Sequence, residues 1–328
     1  MCLVGFGTVG QALARLIAGR PELASSLQIV AVADRGGVAA RPAGLEAADW
    51  LERKASRGSV ATDPRPPSLA EWVAATDSDA VVDVLPSNLD SGEPSRTIAL
   101  EALRSGKDVV TANKGPLALH AGELRAAARA SGRAIRSGAA VGGGTPVLEL
   151  LTDSFRGDRV ERFDAVLNGT TNFVLAHLER GSTWEGALAA ARARGILESD
   201  PSLDLSGRDA AAKATILANA LWQTDWSLAD ARVEGIWGTD ERDARDASEH
   251  GLALRLVARA DPEGGVRVAP VALPREHALV MDGPENMVRF RLAAAGTVAV
   301  RGPGAGGTES AAKVLSDLLA LRERPRPD

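Results

Sequence analysis

Short apolar runs and stretches of helical periodicity alternate through the first 137 residues. Met1–Val4 is apolar and is followed by Gly5-Phe6-Gly7-Thr8-Val9-Gly10, then by QALARLIAG, whose apolar positions recur at helical spacing. Strand, glycine turn and helix are predicted in that order. A second apolar run, Leu27–Ala33, ends at Asp34. Leu69–Thr76 reads as a helix and Ala80–Leu85 as a strand carrying one acid, Asp83, broken by Pro86-Ser87-Asn88. Pro94–Arg104 is a helix closed by Gly106. Lys107–Ala112 is the next strand, leading into Asn113-Lys114, and a helix is predicted from Pro116 to about Ala130. Arg133–Ser137 adds one more strand. Strands and helices alternating with short joints predict an α/β fold with a parallel, doubly wound sheet. Gly36–Pro67, rich in Arg, Ala, Gly and Pro, is expected to be an irregular surface connection with a short helix around Leu45–Lys54.

The pattern changes at Gly138. Gly142-Gly143-Gly144-Thr145-Pro146 turns into a predicted helix, Val147–Phe155, and Val160–Leu167 alternates as a strand. Asn168-Gly169-Thr170-Thr171-Asn172 caps the helix FVLAHLE that follows. A helix over Thr183–Arg194 comes next, and Leu252–Ala260 with Val266–Val271 predicts an antiparallel hairpin. Met287–Leu292 and Thr297–Arg301 are strands. Gly302-Pro303-Gly304-Ala305-Gly306-Gly307 opens a last helix over Glu309–Leu321, whose start resembles an anion-facing helix N-terminus. The reading gives a dinucleotide-binding domain over 1–137, completed by 302–328, and an α+β domain over 138–301.

Composition narrows the function. With 328 residues and net charge −5, the chain has no general attraction to nucleic acid or anionic membranes. No apolar run approaches the about 20 residues of a membrane span, and no basic leader precedes the first strand. One cysteine, Cys2, excludes an internal disulfide framework and fits a reducing cytoplasm. The histidines and the cysteine show no metal-ligand spacing.

Two constellations carry chemistry. In the first, the glycines of Gly5–Gly10 let the backbone approach a pyrophosphate, which the helix N-terminus stabilises. Asp34, at the end of the second strand, can accept from a ribose 2′-hydroxyl. Arg35 beside it can meet a 2′-phosphate, so NAD and NADP both fit. The second is Gly195–Asn219. Glu198 and Asp204 arrive from a loop, Ser206 can cap the helix, and Asp209 and Lys213, four apart, share one helical face. Such a pair is most often an exposed salt bridge. Yet only five of the 38 basic residues are lysines, and a lysine kept against that bias points to a compact, titratable ammonium. Lys114, at a strand-to-helix turn on the phosphate-loop edge, is the second lysine of interest.

Together GFGTVG (Gly5–Gly10), GKDVVTANKGPLA (Gly106–Ala118), VGGGTPVLELL (Val141–Leu151), LNGTTNFVL (Leu167–Leu175), ESDPSLDLSGRDAAAK (Glu198–Lys213) and GPGAGG (Gly302–Gly307) resemble homoserine dehydrogenase. They fall in family order over nearly the whole chain, as in the short form without a C-terminal regulatory domain. The resemblance implies NAD(P)-dependent interconversion of L-homoserine and L-aspartate 4-semialdehyde on the threonine and methionine pathway, in a cytoplasmic homodimer. It implies that Lys213 and Lys114 flank the reacting carbon, with Glu198 and Asp209 on the substrate ammonium. Asp204 would support the lysine and Thr170 line the pocket. The cofactor would meet Gly5, Gly7, Thr8, Val9, Gly10, Asp34, Arg35, Ser87, Lys114 and Gly304. Backbone carbonyls of Gly138, Val141, Gly143 and Thr145 would serve Na+ or K+, although many relatives carry a glutamate where Gly138 stands. The competing readings are a related amino-acid dehydrogenase and a non-catalytic NAD(P) sensor. The first is tested by homoserine against aspartate or malate, the second by any turnover at all.

Overall fold

The computed structural model describes residues 1–150, 154–197 and 200–323, and the chain divides into two compact units, Met1–Gly144 with Ala305–Asp328, and Thr145–Gly304. The first unit begins with β1 (Cys2–Val4), α1 (Thr8–Ala18), α2 (Pro21–Ala24), β2 (Ile29–Asp34), β3 (Gly37–Leu45) and α3 (Ala47–Arg57). It continues with α4 (Leu69–Ala75), β4 (Ala80–Asp83), α5 (Ser95–Arg104), β5 (Asp108–Thr111), α6 (Lys114–Leu119), α7 (Ala121–Ser131), β6 (Ile135–Arg136) and α8 (Gly138–Gly142). Its sheet runs β3-β2-β1-β4-β5-β6, parallel from β2 to β6. The strand order reverses at β1, so a ligand crevice is expected at the carboxyl ends of β1 and β4. Leu3, Phe6, Leu13, Ile17, Val32, Val82 and Val110 form the core.

Three expectations for this unit are corrected. Residues 36–67 are not an irregular surface connection: β3 pairs antiparallel with β2, making the sheet mixed. Val38 and Ala39 are buried, and Trp50 of α3 is fully buried with its indole N–H donating to the Ile29 carbonyl at 3.0 Å. Sparse apolar residues among Arg, Gly and Pro hid an edge strand, which needs only one buried face. The helix predicted from Pro116 begins earlier, at Lys114, and breaks at His120, whose φ of −135° is not helical. The last helix also begins earlier, at Gly307.

The second unit contains α9 (Val147–Glu149), β7 (Val160–Val166), α10 (Gly169–Glu179), α11 (Trp184–Ala193), α12 (Ser202–Leu205) and α13 (Arg208–Trp222). It continues with β8 (Arg232–Val233), α14 (Glu241–Glu249), β9 (Leu252–Asp261), β10 (Gly265–Pro274), β11 (Glu285–Leu292) and β12 (Gly296–Pro303). The chain then re-enters the first unit as α15 (Gly307–Arg322), whose Val314 and Leu318 join the first core. The second sheet runs β12-β11-β7-β9-β10-β8, antiparallel except between β10 and β8. Phe163, Val288, Phe290 and Leu292 are buried on one face of it, with Trp222 of α13 stacked on Phe163. The opposite face carries Arg259, Arg291, Thr297, Ala299 and Arg301, all exposed. The helix expected over Val147–Phe155 is described only as α9, because residues 151–153 lie outside the described residues.

Candidate active site

Each unit presents one group of sequence-predicted residues, and the groups are built differently. In the first unit, Gly5 has φ of +104°, a conformation favouring glycine, and a Cβ there would meet the Val84 carbonyl oxygen at 2.9 Å. A Cβ on Gly10 would stand 2.2 Å from the Gly5 carbonyl oxygen, which is what closes the turn tightly. Gly7 has nothing within 4 Å on that side and is exposed, as is Thr8. Gly7 caps α1 without a side-chain hydrogen bond, and the first turn holds no acid. A bare, uncontested helix N-terminus behind a compact glycine turn is what a pyrophosphate needs, so the residues present fit a dinucleotide. Gly307 approaches Thr8 so closely that a Cβ would lie 2.5 Å from its methyl, which sets the start of α15 against this turn.

Asp34 is already engaged. Its carboxylate accepts from Lys54 Nζ at 2.8 Å, Ser59 Oγ at 2.7 Å, and the N–H groups of Gly36 and Val60 at 2.8 and 3.1 Å. Burial would push this carboxyl up, but those donors outweigh it and hold it below the usual carboxylate range. Arg35 beside it is exposed. The sequence reading missed Lys54 and Ser59, which reach Asp34 from about 20 and 25 residues downstream with no local signature.

At the carboxyl ends of β4 and β5, Ser87 Oγ accepts from the backbone N–H of Lys114 at 3.0 Å. Asn113 caps α6 by accepting from Gly115 N–H at 3.0 Å, and its Nδ2 donates to Ser95 Oγ at 2.9 Å and the Pro86 carbonyl at 3.2 Å. Beneath them Asp83 is 2% exposed. Burial pushes its carboxyl up from 3.8 to about 6, although the Leu85 N–H and the Thr111 hydroxyl donate to it. Between those two values the folded chain holds a proton that the unfolded chain has lost. Stability should therefore fall as pH rises from about 4 to about 6, by roughly 3 kcal/mol. Urea unfolding of the wild type and Asp83→Asn across this range should show a steeper fall in the wild type, the difference between the two slopes being the Asp83 contribution; equal slopes would refute it.

The second unit assembles the lysine cluster. Lys213 Nζ lies 2.8 Å from Asp209 Oδ2 and donates to the Leu167 carbonyl at 2.7 Å, with the two side chains 10% and 12% exposed. The pair is therefore not the exposed salt bridge that its spacing most often means. Asn168 binds it together: Nδ2 donates to Asp204 Oδ1 at 2.7 Å and Asp209 Oδ2 at 2.9 Å, while Oδ1 accepts from Thr171 N–H as the cap of α10. The sequence marked Asn168 only as a cap; an amide has donors as well as an acceptor, and nothing local says where they point. Burial first, and then the charge of Asp209, push the Asp204 carboxyl up, against hydrogen bonds from Asn168 and Thr170 and the charge of Lys213. In this structure Asp209 touches the lysine directly, and Asp204 is linked to it through Asn168.

Ser206 is not the expected cap. Asp204 lies in α12, Ser206 Oγ donates to the Leu203 carbonyl at 3.4 Å, and Gly207 caps α13 with φ of +80°. A short helix before Gly207 leaves the serine pointing back along the chain. Thr170 is buried, with its hydroxyl 3.4 Å from the Ile196 carbonyl. Gly304 packs on buried Asn286, whose side-chain carbon would lie 2.3 Å from an added Cβ. Glu198 lies outside the described residues. Of the four backbone positions expected for a monovalent cation, the Thr145 carbonyl accepts from Val147 N–H at 2.8 Å, and Gly138 gives its N–H to Asp317 at 2.9 Å.

Comparison with known proteins identifies the family. The family model described as homoserine dehydrogenase matches residues 146–319, and that described as homoserine dehydrogenase, NAD binding domain, matches residues 5–137. Homoserine dehydrogenase of Methanocaldococcus jannaschii is 35% identical over 327 residues, 97% of each chain. The NAD(+)-dependent homoserine dehydrogenase of Pseudomonas canavaninivorans is 37% identical over 338 residues, 98% of this chain and 96% of that one. Among solved structures, a hyperthermophilic archaeal homoserine dehydrogenase in complex with NADPH superposes with a TM-score of 0.86 at 31% identity, covering 98% of this chain and 96% of that one.

Proposed function

Because the chain belongs to the homoserine dehydrogenase family, we propose that its reaction, the NAD(P)-dependent interconversion of L-homoserine and L-aspartate 4-semialdehyde, runs on the Lys213 cluster. The observation that carries this is the buried ammonium of Lys213, held by Asp209 and the Leu167 carbonyl, with Asn168 joining Asp209 to Asp204. The charges of Asp204, Asp209 and Lys213 sum to −1, so the cluster has an unbalanced anion for a substrate ammonium. Glu198 would add a second. Lys213 takes the hydroxyl proton as the neutral amine when homoserine is oxidised, becoming the ammonium, and the ammonium returns that proton when the aldehyde is reduced. Lys114 is assigned an electrostatic and proton-relay role, and Thr170 lines the substrate side.

Bound NAD(P) supplies the hydride acceptor or donor. Gly5, Gly7, Thr8, Val9 and Gly10 would hold its pyrophosphate, with Ser87 and Gly304 as further contacts. The adenosine ribose would meet Arg35 and an Asp34 already neutralised by Lys54, so a 2′-phosphate is tolerated there. Arg35→Ala should lower kcat/KM for NADP about tenfold and leave that for NAD nearly unchanged. Initial rates with each cofactor check this, and they include the decisive control. No NAD(P)H formed from homoserine, or faster turnover of aspartate or malate, would overturn the assignment. A sensor would bind the cofactor and turn over nothing.

Three further features are proposed. The open, arginine-bearing face of the second sheet supports a homodimer, tested by light scattering during size exclusion. Carbonyls of Gly138, Val141, Gly143 and Thr145 are the donors Na+ or K+ would have, tested by exchanging KCl for choline chloride. A cytoplasmic location is supported by the single, fully buried Cys2, whose thiol burial pushes up to about 12, and is tested by fractionation.

A further inference from the structure

We propose that Asp83 is a positioning residue for the reaction: its carboxylate holds the Leu85 N–H and terminates the hydroxyl bridge through Thr111, and together these fix Asn113 and hence the backbone turn presenting Lys114. The proposal rests on the reading of Lys114 given above. The direction of each hydrogen bond carries it. Ser95 Oγ accepts from Asn113 Nδ2 at 2.9 Å, and Thr111 Oγ1 accepts from the Asn113 backbone N–H at 2.9 Å. A hydroxyl has one proton, and Thr111 gives its own to Asp83 Oδ2 at 3.3 Å. An ionised carboxylate only accepts, so it sets the polarity of this bridge. Asn113 is thereby held with Nδ2 toward Ser95 and the Leu85 and Pro86 carbonyls, and Oδ1 toward Gly115 N–H.

The consequence reaches both loops of the crevice. Leu85 N–H donates to Asp83 Oδ1 at 3.1 Å, so the same carboxylate also holds the turn after β4. Lys114 N–H then meets Ser87 Oγ at 3.0 Å. Gly115 passes so near the Asn88 carbonyl oxygen, 2.2 Å from where a Cβ would stand, that the two turns fit only in this register. An apolar side chain at position 83 would fill the end of β4 without the cost of burying a carboxyl. What it could not supply is an acceptor for the Thr111 hydroxyl and the Leu85 N–H at once.

The test uses the full chain. Asp83→Asn keeps the shape but puts a donor where an acceptor stood, and Thr111→Val removes the hydroxyl bridge. Each should lower kcat for homoserine oxidation about tenfold or more while NAD(P)H binding, followed by fluorescence, is retained. Amide exchange over residues 112–117 should quicken in both, although Asp83→Asn resists urea at pH 8 at least as well as the wild type. A merely structural role would move stability and rate together. The double variant Asp83→Asn with Asn113→Ala should be no slower than Asn113→Ala alone. Wild-type kcat in Asp83→Asn and Thr111→Val, or independent effects in the double variant, would overturn the proposal. Lys114→Ala, run in parallel, separates the two readings. If it retains turnover, the catalytic role of Lys114 fails, and exchange at 112–117 alone decides whether Asp83 sets the turn.

Discussion

Lys213→Met should lower kcat/KM for homoserine about a thousandfold or more, with NAD(P)H binding unchanged. Methionine keeps the stem volume and removes only the ammonium. What is lost is the group that exchanges the substrate proton, together with the donor to the Leu167 carbonyl and the partner of Asp209. Lys213→Arg should not rescue. Guanidinium keeps the charge, but it is larger, planar and does not give up its proton, whereas the reaction needs a group that cycles. The electrostatics give a second readout. The charge of Lys213 lowers the Asp204 carboxyl, so its removal should raise the apparent acid limb of any residual activity. Near-normal turnover in both Lys213→Met and Lys114→Ala would end the proposed proton path.

The parts of this site readable in advance were those encoded within one turn of chain. A strand, two close glycines and a helix announce the phosphate turn because the steric demand is local: Gly10 must pass the Gly5 carbonyl. Asp209 and Lys213 announce a pair because helix geometry fixes their spacing, and the structure adds that the pair is buried. Partners reaching across the sequence were not readable. Asn168 was visible as a cap, but its reach to Asp204 and Asp209, 36 and 41 residues on, depends on how β7 and α10 meet α12 and α13. Asp83 stood out as an acid in an apolar run. Its hydroxyl partner, Thr111, comes from the next strand, so its environment was set by tertiary packing. Residues 36–67 failed for the opposite reason: their composition resembles a loop, and one face of pairing with β2 is enough to make a strand.

The largest expected effect on stability lies away from the chemistry. Arg255 is fully buried and Glu179 nearly so, and they pair at 2.7 Å between β9 and the last turn of α10. Glu179 Oε1 also accepts from Leu254 N–H at 2.6 Å. Glu179→Ala would leave Arg255 with the Leu254 carbonyl at 2.7 Å and Asp282 at 3.5 Å, an acid 69% exposed and well hydrated. One buried guanidinium without its counter-charge should cost about 3–5 kcal/mol, read as a lower urea midpoint and Tm. Removing both partners is a different matter. Glu179→Leu with Arg255→Met leaves no stranded charge, so it should recover most of the loss, and the cycle of the four proteins should show strong coupling. Activity separates this from a catalytic role. Asn168 caps the other end of α10, so helix docking supports the cluster only while the unit is folded. Below its own unfolding transition Glu179→Ala should keep nearly the wild-type kcat. A single variant as stable as the wild type would show that water, or a shift of Asp282, already satisfies Arg255.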